Sequence, residues 1–336
     1  MNLLRLHDLD RATALALVRR ARRLARGAAV RPRPGRALGL LFLDPSLRTQ
    51  ASMQRAAARL GLDLVQLAGS SLWNLETRDG VVMDGDAAEH LREAAPVLGA
   101  YVDLLAVRAF PRRGRVEEDF EDPVLQGFAR HAGVPVLNLE GARHHPCQAL
   151  ADWCALEERG VDPHGTFVLS WAPHPRPLPQ AVPASAACMA AWRGMRVVIQ
   201  HPPGFELHPV LLEEARALAA ASGGSVEVRE DREALAGADA VYGKSWGSLQ
   251  GWREVETHQR LAAPWRESWR IRARDLPAGA PFLHCLPVRR NVVVEDAVLD
   301  GPASAVLEQA RFRLHGQTAL LEHLLAPAPA EPALQP

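Results

Sequence analysis

Short apolar runs separated by stretches of helical periodicity recur along this chain of 336 residues. Strand-like segments fall at 37–43, 62–67, 102–107 and 134–139, and again at 166–171, 196–200, 225–229, 239–242 and 280–283, those at 62–67 and 225–229 mixing apolar with polar residues. A run that is apolar at every position has no side to present to water, so it belongs inside a parallel sheet covered by helices on both faces. Repeated β-α units of this kind predict an α/β protein built from two doubly wound parallel-sheet domains. The length suits two domains, each able to bury a core. No G-x-G-x-x-G follows any of the runs, which argues against a dinucleotide.

The expected helices include 9–25, stopped by Gly27, then 87–98 and 120–133, and one opened by His145-Pro146, proline being favoured in a first turn. Residues 71–86 hold few apolar anchors and read as a long loop, in which Trp73 either covers a ligand or interface or folds back into the core. The expected division is a first domain over 1–142, a second over 143–303, a last helix over 304–325, and a disordered tail rich in Pro and Ala over 326–336.

Acidic and basic residues balance at 39 each, so nothing draws the chain to nucleic acid or to an anionic membrane. No run is long enough for a membrane span, and the N-terminus has neither the apolar core of a signal peptide nor, with Asp8 and Asp10, the look of a transit peptide. Cys147, Cys154, Cys188 and Cys285 show no C-x-x-C and no metal-ligand spacing; reduced thiols in a cytoplasmic protein fit best, and no metal site or cofactor is implied. No partner arrangement requires a catalytic thiol at Cys147 or Cys285.

Of the 39 basic residues, Lys244 is the single lysine. A GC-rich genome explains arginine excess, but not why one lysine stays. A compact ammonium fits a tight pocket where a guanidinium fork does not, so Lys244 is read as a site residue.

Four segments carry the chemistry. HCLPVRRN (284–291) follows an apolar run and sets a rigid turn and two arginines at the carboxyl end of a strand, where ligands bind in open α/β sheets. DPSLRTQ (44–50) is strand, tight turn, helix, the geometry that aims backbone N–H groups and the helix dipole at an anion. Within it Ser46 and Thr49 add hydroxyls and Arg48 a bidentate fork. Taken alone it also reads as a capped helix with a surface arginine. Arg108 closes another strand, in VRAFP, and HHPCQ places His145 and Gln148 at a helix start, where imidazole and amide can face a carbonyl oxygen.

Together SLRT, VRAFP, HPCQ and HCLPVRRN resemble the aspartate/ornithine carbamoyltransferase family, in order and over nearly the whole chain. The resemblance implies a last helix that returns to the first domain and a homotrimer whose active sites are shared between subunits. It implies that Ser46, Leu47, Arg48 and Thr49 hold the phosphate of carbamoyl phosphate, with Trp73 reaching in from a neighbouring subunit. Arg108, His145 and Gln148, with the backbone at Cys285 and Leu286, would contact the carbamoyl group; Thr49, Arg108 and His145 would stabilise the negative oxygen of the intermediate. Arg289 would bind carbamoyl phosphate or the α-carboxylate of the second substrate.

KSWGS stands where the ornithine-specific members have a Ser-Met-Gly loop, and MDGDAAEH, VRAFP and KSWG resemble the branch acting on N-acylated ornithine. Glu140, His174, Lys244, Cys285 and Arg289 would hold that substrate, with Ala88 in the acyl pocket. Relative to the acetyl-specific pattern, Ala88 replaces a glutamate, Pro179 an asparagine and Val293 a lysine. Removing a carboxylate from an acyl pocket favours an acyl group that itself ends in one, so N-succinylornithine is expected over N-acetylornithine. Gln50 departs from the arginine usual after S-x-R-T. The rival readings are another amine as acceptor, or a non-catalytic binding relative.

Overall fold

The computed structural model describes residues 1–68, 73–110 and 114–326; the expected tail lies outside the described residues except for Ala326. Two parallel sheets carry the molecule. The first has the order β2-β1-β5-β6, with β1 at Ala37–Phe42, β2 at Asp63–Ala68, β5 at Leu104–Arg108 and β6 at Val136–Asn138. The second has the order β11-β10-β7-β8-β9, with β7 at Thr166–Trp171, β8 at Arg196–Gln200, β9 at Ser225–Arg229, β10 at Ala240–Lys244 and β11 at Phe282–Leu283. β5 and β10 are buried along their whole length, the state their uninterrupted apolar runs required.

In both sheets the chain steps first to one side and later to the other. The reversal falls between β1 and β5 in the first sheet and between β7 and β10 in the second. At such a switch point the loops leaving neighbouring strands part and open a crevice beyond the carboxyl ends. The segment after β1 is DPSLRT, β5 ends in Arg108, β7 leads into the proline-rich loop, and β10 ends in Lys244.

Around the sheets lie α1 (Arg11–Ala25), α2 (Leu47–Leu60), α3 (Leu91–Tyr101), α4 (Val116–Phe120), α5 (Pro123–His131), α6 (Pro146–Glu158), α7 (Ala181–Arg193), α8 (Pro209–Ser222), α9 (Val255–Ala262), α10 (Asp296–Leu299) and α11 (Val306–Leu324). The last helix does return: α11 packs against α1, α2 and α6. Glu322 near its end accepts from both Nε and Nη2 of Arg20 at 2.7 and 2.8 Å and from the Arg31 backbone N–H at 2.7 Å.

Two helix expectations are corrected. Residues 87–90 form a strand, β4 (Ala87–His90), paired with β3 (Asn74–Glu76) inside the segment read as a loop. The helix starts only at Leu91, because the His90 side chain accepts from the Arg92 N–H at 3.1 Å and caps it there. The helix expected over 120–133 is two, α4 and α5, since Asp122 sits in the left-handed region (φ 53°) and breaks the run. Among the described residues no helix is long and apolar enough to cross a membrane.

Candidate active site

The loops at both switch points face one cleft of about 450 Å³. Ser46 caps α2, its hydroxyl accepting from the Thr49 N–H at 3.4 Å, so the free N–H groups of that first turn stand at the cleft beside Arg48. Arg48 is largely buried, and burial lowers its pKa while leaving it a cation.

Arg108 extends from the end of β5, with its guanidinium 4.3 Å from the centre of the Phe110 ring and Nη1 donating to a Glu140 carboxylate oxygen at 2.5 Å. Glu140 holds a positive φ of 128°, a conformation fixed by the Asn138 side chain, whose oxygen accepts the Glu140 N–H at 2.7 Å. The same carboxylate lies 3.9 Å from His145 Nε2.

His145 stands just ahead of Pro146, and its backbone N–H donates to Ser185 Oγ at 2.8 Å. Its ring is buried and meets Arg313, Arg108 and Arg48. Burial first, and these cations second, hold its pKa well below 6.5. At neutral pH it is an uncharged imidazole that can give one N–H to an oxygen.

The second sheet supplies the opposite wall. Lys244 is buried, with Nζ donating to the Ser245 carbonyl at 3.0 Å. Arg289 Nε donates to His174 Nε2 at 3.2 Å. On the other side of the ring, His174 Nδ1 lies 2.8 Å from the Arg176 carbonyl oxygen and 3.1 Å from the Arg176 backbone nitrogen. Burial pushes the His174 pKa down to about 4, leaving the ring neutral. The His284 ring accepts the Leu286 N–H at 2.9 Å, Leu286 has φ 57°, and the Leu286-Pro287 peptide is cis. Burial raises the pKa of Cys285 and pushes Cys147 up to about 11, so both are protonated thiols at neutral pH and poor nucleophiles.

Of the residues singled out in the sequence, Ser46, Arg48, Thr49, Arg108, Glu140, His145, Gln148, His174, Lys244, Cys285, Leu286 and Arg289 all line this cleft. Leu47, Trp73, Ala88 and Val293 do not: Leu47 is 82% and Trp73 58% exposed, Ala88 is exposed on β4, and Val293 is buried in a hydrophobic cluster. Trp73 does not fold into the core; its indole N–H donates to Glu89 at 2.9 Å.

Sequence reasoning missed Arg313 and Arg176. Arg313 projects from α11, where Nη1 donates to the Gln148 side-chain oxygen at 2.7 Å and Nη2 to Thr49 Oγ1 at 2.9 Å. Its signal was a polar stripe at four-residue spacing, Gln309, Arg313 and Gln317, on a helix otherwise rich in buried apolar residues. Arg176 sits in the proline-dense loop and had no signal beyond its charge.

Among the described residues six cations therefore face the cleft, Arg48, Arg108, Arg176, Lys244, Arg289 and Arg313, against the one carboxylate of Glu140. Such a lining fits a ligand pair carrying several negative charges. A second depression of about 530 Å³ shares Phe110 but gathers Glu76, Arg78, Asp119 and Asp122, with Arg78 already paired to Glu76 at 3.0 Å. Away from both, His7, His144 and Glu214 lie close enough to share a metal ion. There Glu214 already accepts from His144 at 2.7 Å and from Arg143, and Arg5 adds a further positive charge at 3.4 Å.

Two switch-point crevices merged into one cation-rich cleft define a two-domain α/β protein with a site whose lining suits anionic ligands. The carbamoyl-phosphate-binding domain of aspartate/ornithine carbamoyltransferases matches residues 1–158, and the aspartate/ornithine-binding domain of the same proteins matches residues 180–324. The chain is 39% identical over 293 residues to the N-succinylornithine carbamoyltransferase of Bacteroides fragilis, covering 86% of this chain and 87% of the relative. It is 40% identical over 329 residues to the N-acetylornithine carbamoyltransferase of Xanthomonas campestris pv. campestris, covering 95% and 96%. Its structure superposes with a TM-score of 0.92, at 40% identity and with 96% and 99% coverage, on a variant of N-acetyl-L-ornithine transcarbamylase complexed with carbamyl phosphate and N-succinyl-L-norvaline. The chain belongs to the aspartate/ornithine carbamoyltransferase family.

Proposed function

We propose that this protein transfers the carbamoyl group of carbamoyl phosphate to the δ-amine of an N-acylated ornithine, giving an N-acylcitrulline and inorganic phosphate for arginine biosynthesis. The observation that carries the reading is the single cleft where six cations and the α2 N-terminus meet one carboxylate and two neutral imidazoles. Carbamoyl phosphate and an amino-acid carboxylate together bring the negative charge such a lining requires.

In this reading Arg48, the α2 N-terminus, Thr49 and Arg313 take the phosphate. Arg108 and neutral His145 donate to the carbamoyl oxygen, and Gln148 and the backbone at Cys285 and Leu286 hold the carbamoyl group. The amine attacks the carbonyl carbon, forming the C–N bond. As the tetrahedral intermediate collapses, the carbon–oxygen bond to phosphate breaks and the departing phosphate takes the amine proton. The step requires no covalent enzyme intermediate. Alignment of two substrates supplies roughly 7–11 kcal/mol of the barrier, and the donors aimed at the developing oxyanion supply more.

Glu140, His174, Lys244 and Arg289 take the acylated ornithine. N-succinylornithine is favoured over N-acetylornithine: the cleft keeps cations in excess after the phosphate is served, and Ala88 and Pro179 leave no added charge at the acyl end. Ala88, Trp73 and Leu47 stand outside the cleft of their own chain, which fits a homotrimer in which Ala88 and Trp73 complete a neighbour's site. A cytoplasmic location accords with the four unpaired cysteines.

The test is product formation from carbamoyl phosphate with ornithine, N-acetylornithine and N-succinylornithine side by side, together with the mass of the assembly in solution. Turnover highest with the succinyl compound, by a trimer, is expected. A preference for the acetyl compound overturns the acyl reading and keeps the reaction; turnover with none of the three overturns the reaction.

A further inference from the structure

A chain of buried hydrogen bonds crosses the molecule beneath the cleft. Asp152 on α6 is 1% exposed, and its Oδ1 accepts from Gln148 Nε2 at 2.6 Å and from Gln309 Nε2 at 2.7 Å. The other end of each amide is also engaged. The Gln148 oxygen accepts from Arg313 Nη1 at 2.7 Å, and the Gln309 oxygen accepts the His284 backbone N–H at 2.8 Å. Arg313 then reaches Thr49 at 2.9 Å. One carboxylate thus stands midway between the phosphate end of the cleft and the turn that begins at His284.

An ionised carboxylate only accepts, while a guanidinium and a backbone N–H only donate. Each glutamine lies between such a pair, so only one orientation of each amide satisfies both neighbours. Turning Gln148 over would set oxygen against oxygen at Asp152 and N–H against N–H at Arg313; turning Gln309 over would do the same at Asp152 and His284.

We infer that Asp152 is a positioning residue for carbamoyl transfer, its acceptor-only carboxylate fixing the orientation of Gln148 and Gln309 and so aligning the Thr49–Arg313 pair with the His284 turn. It touches no substrate itself. The inference rests on the proposed reaction, in which Gln148 holds the carbamoyl group.

The experiment is a calorimetric titration of carbamoyl phosphate into the full chain, with steady-state kinetics alongside. Failure of the unaltered protein to bind carbamoyl phosphate sinks the proposed reaction, and with it this inference. Given binding, Asp152→Leu, which keeps the volume but accepts from neither glutamine, raises the Kd roughly tenfold or more. Asp152→Asn keeps an oxygen where Oδ1 stands, so it still accepts from both glutamines and binds within a few-fold of the unaltered protein. An Asp152→Leu protein that folds and binds with unaltered affinity overturns the inference, as does an Asp152→Asn protein that folds yet binds as poorly as the leucine variant. Should Asp152→Leu fail to fold, Gln309→Leu, which cuts the link from Asp152 to the His284 turn, decides: a Kd raised several-fold supports the inference, and an unaltered one overturns it.

Discussion

Arg313 Nη2 donates to Thr49 Oγ1 at 2.9 Å, joining residues that lie 264 positions apart in the chain. The contact sets a cation from the last helix directly behind the first turn of α2. Both groups are buried, so the guanidinium is held where it meets an anion with little competing water. Arg313→Lys keeps the charge but cannot serve Gln148 and Thr49 together. We expect carbamoyl-phosphate affinity to fall by about ten- to a hundredfold, the worth of one or two hydrogen bonds to a charged group, measured by calorimetry. Unaltered affinity would remove Arg313 from the phosphate site.

Arg108→Ala takes away the guanidinium that pairs with Glu140 and leaves that carboxylate facing the cleft. Turnover should fall by at least about a hundredfold, in the range found when one preorganised oxyanion donor is removed, with the circular dichroism spectrum unchanged. Near-normal rates would show that Arg108 has no part in the reaction.

Lys244→Arg swaps a compact ammonium for a broader fork at a position only 7% exposed. The KM for the acylated ornithine should rise while the carbamoyl-phosphate Kd stays as it was. The opposite pattern would move Lys244 to the other substrate.

Stability should decline as pH falls from about 7 towards 4. Burial lowers His7, His174 and His315 from 6.5 to about 4 and holds His145 and His284 well below 6.5. In that interval the unfolded chain binds protons that the folded chain refuses, so each step down in pH favours unfolding, at up to about 1.4 kcal/mol per unit for each histidine. Asp122 and Asp152, pushed up to about 6 by burial, act in the opposite sense between their ordinary value and 6, but they are outnumbered. Urea midpoints at pH 7, 6 and 5 read the balance; a rising series would contradict it.

Gly99 on α3 leaves room for α5: a Cβ there would come within 1.8 Å of the Ala132 carbonyl oxygen, which is backbone and cannot step aside. Gly99→Ala should cost about 1–3 kcal/mol or more by overpacking, seen as a lower urea midpoint, and an unchanged midpoint would mean that the two helices slide apart freely.

The layout of the molecule was legible in the residue order because it rests on local physics. Short apolar runs repeated between helical stretches suit buried parallel strands, and Pro146, Ser46, Gly27 and Gly61 punctuate helices by their own conformational preferences. Twelve of the residues picked for their chemistry meet in one cleft for a related reason: they sit at strand ends, and doubly wound sheets bring strand ends together. His90 shows where local reading fails. Its segment has helical composition, but pairing with Asn74–Glu76, a partner no local pattern announces, made it a strand and moved the helix start.

What only the tertiary structure decided is the long-range part. Arg313 is an ordinary helical arginine until α11 folds back across α2 and α6, and Asp152 is an ordinary helical aspartate until two glutamines from different helices point at it. Long-range packing removes water from such groups, and a buried polar atom must then find its partner wherever the fold brings one. The sequence determined which residues could do chemistry on anions; the crossing of distant helices decided which way their hydrogen bonds run.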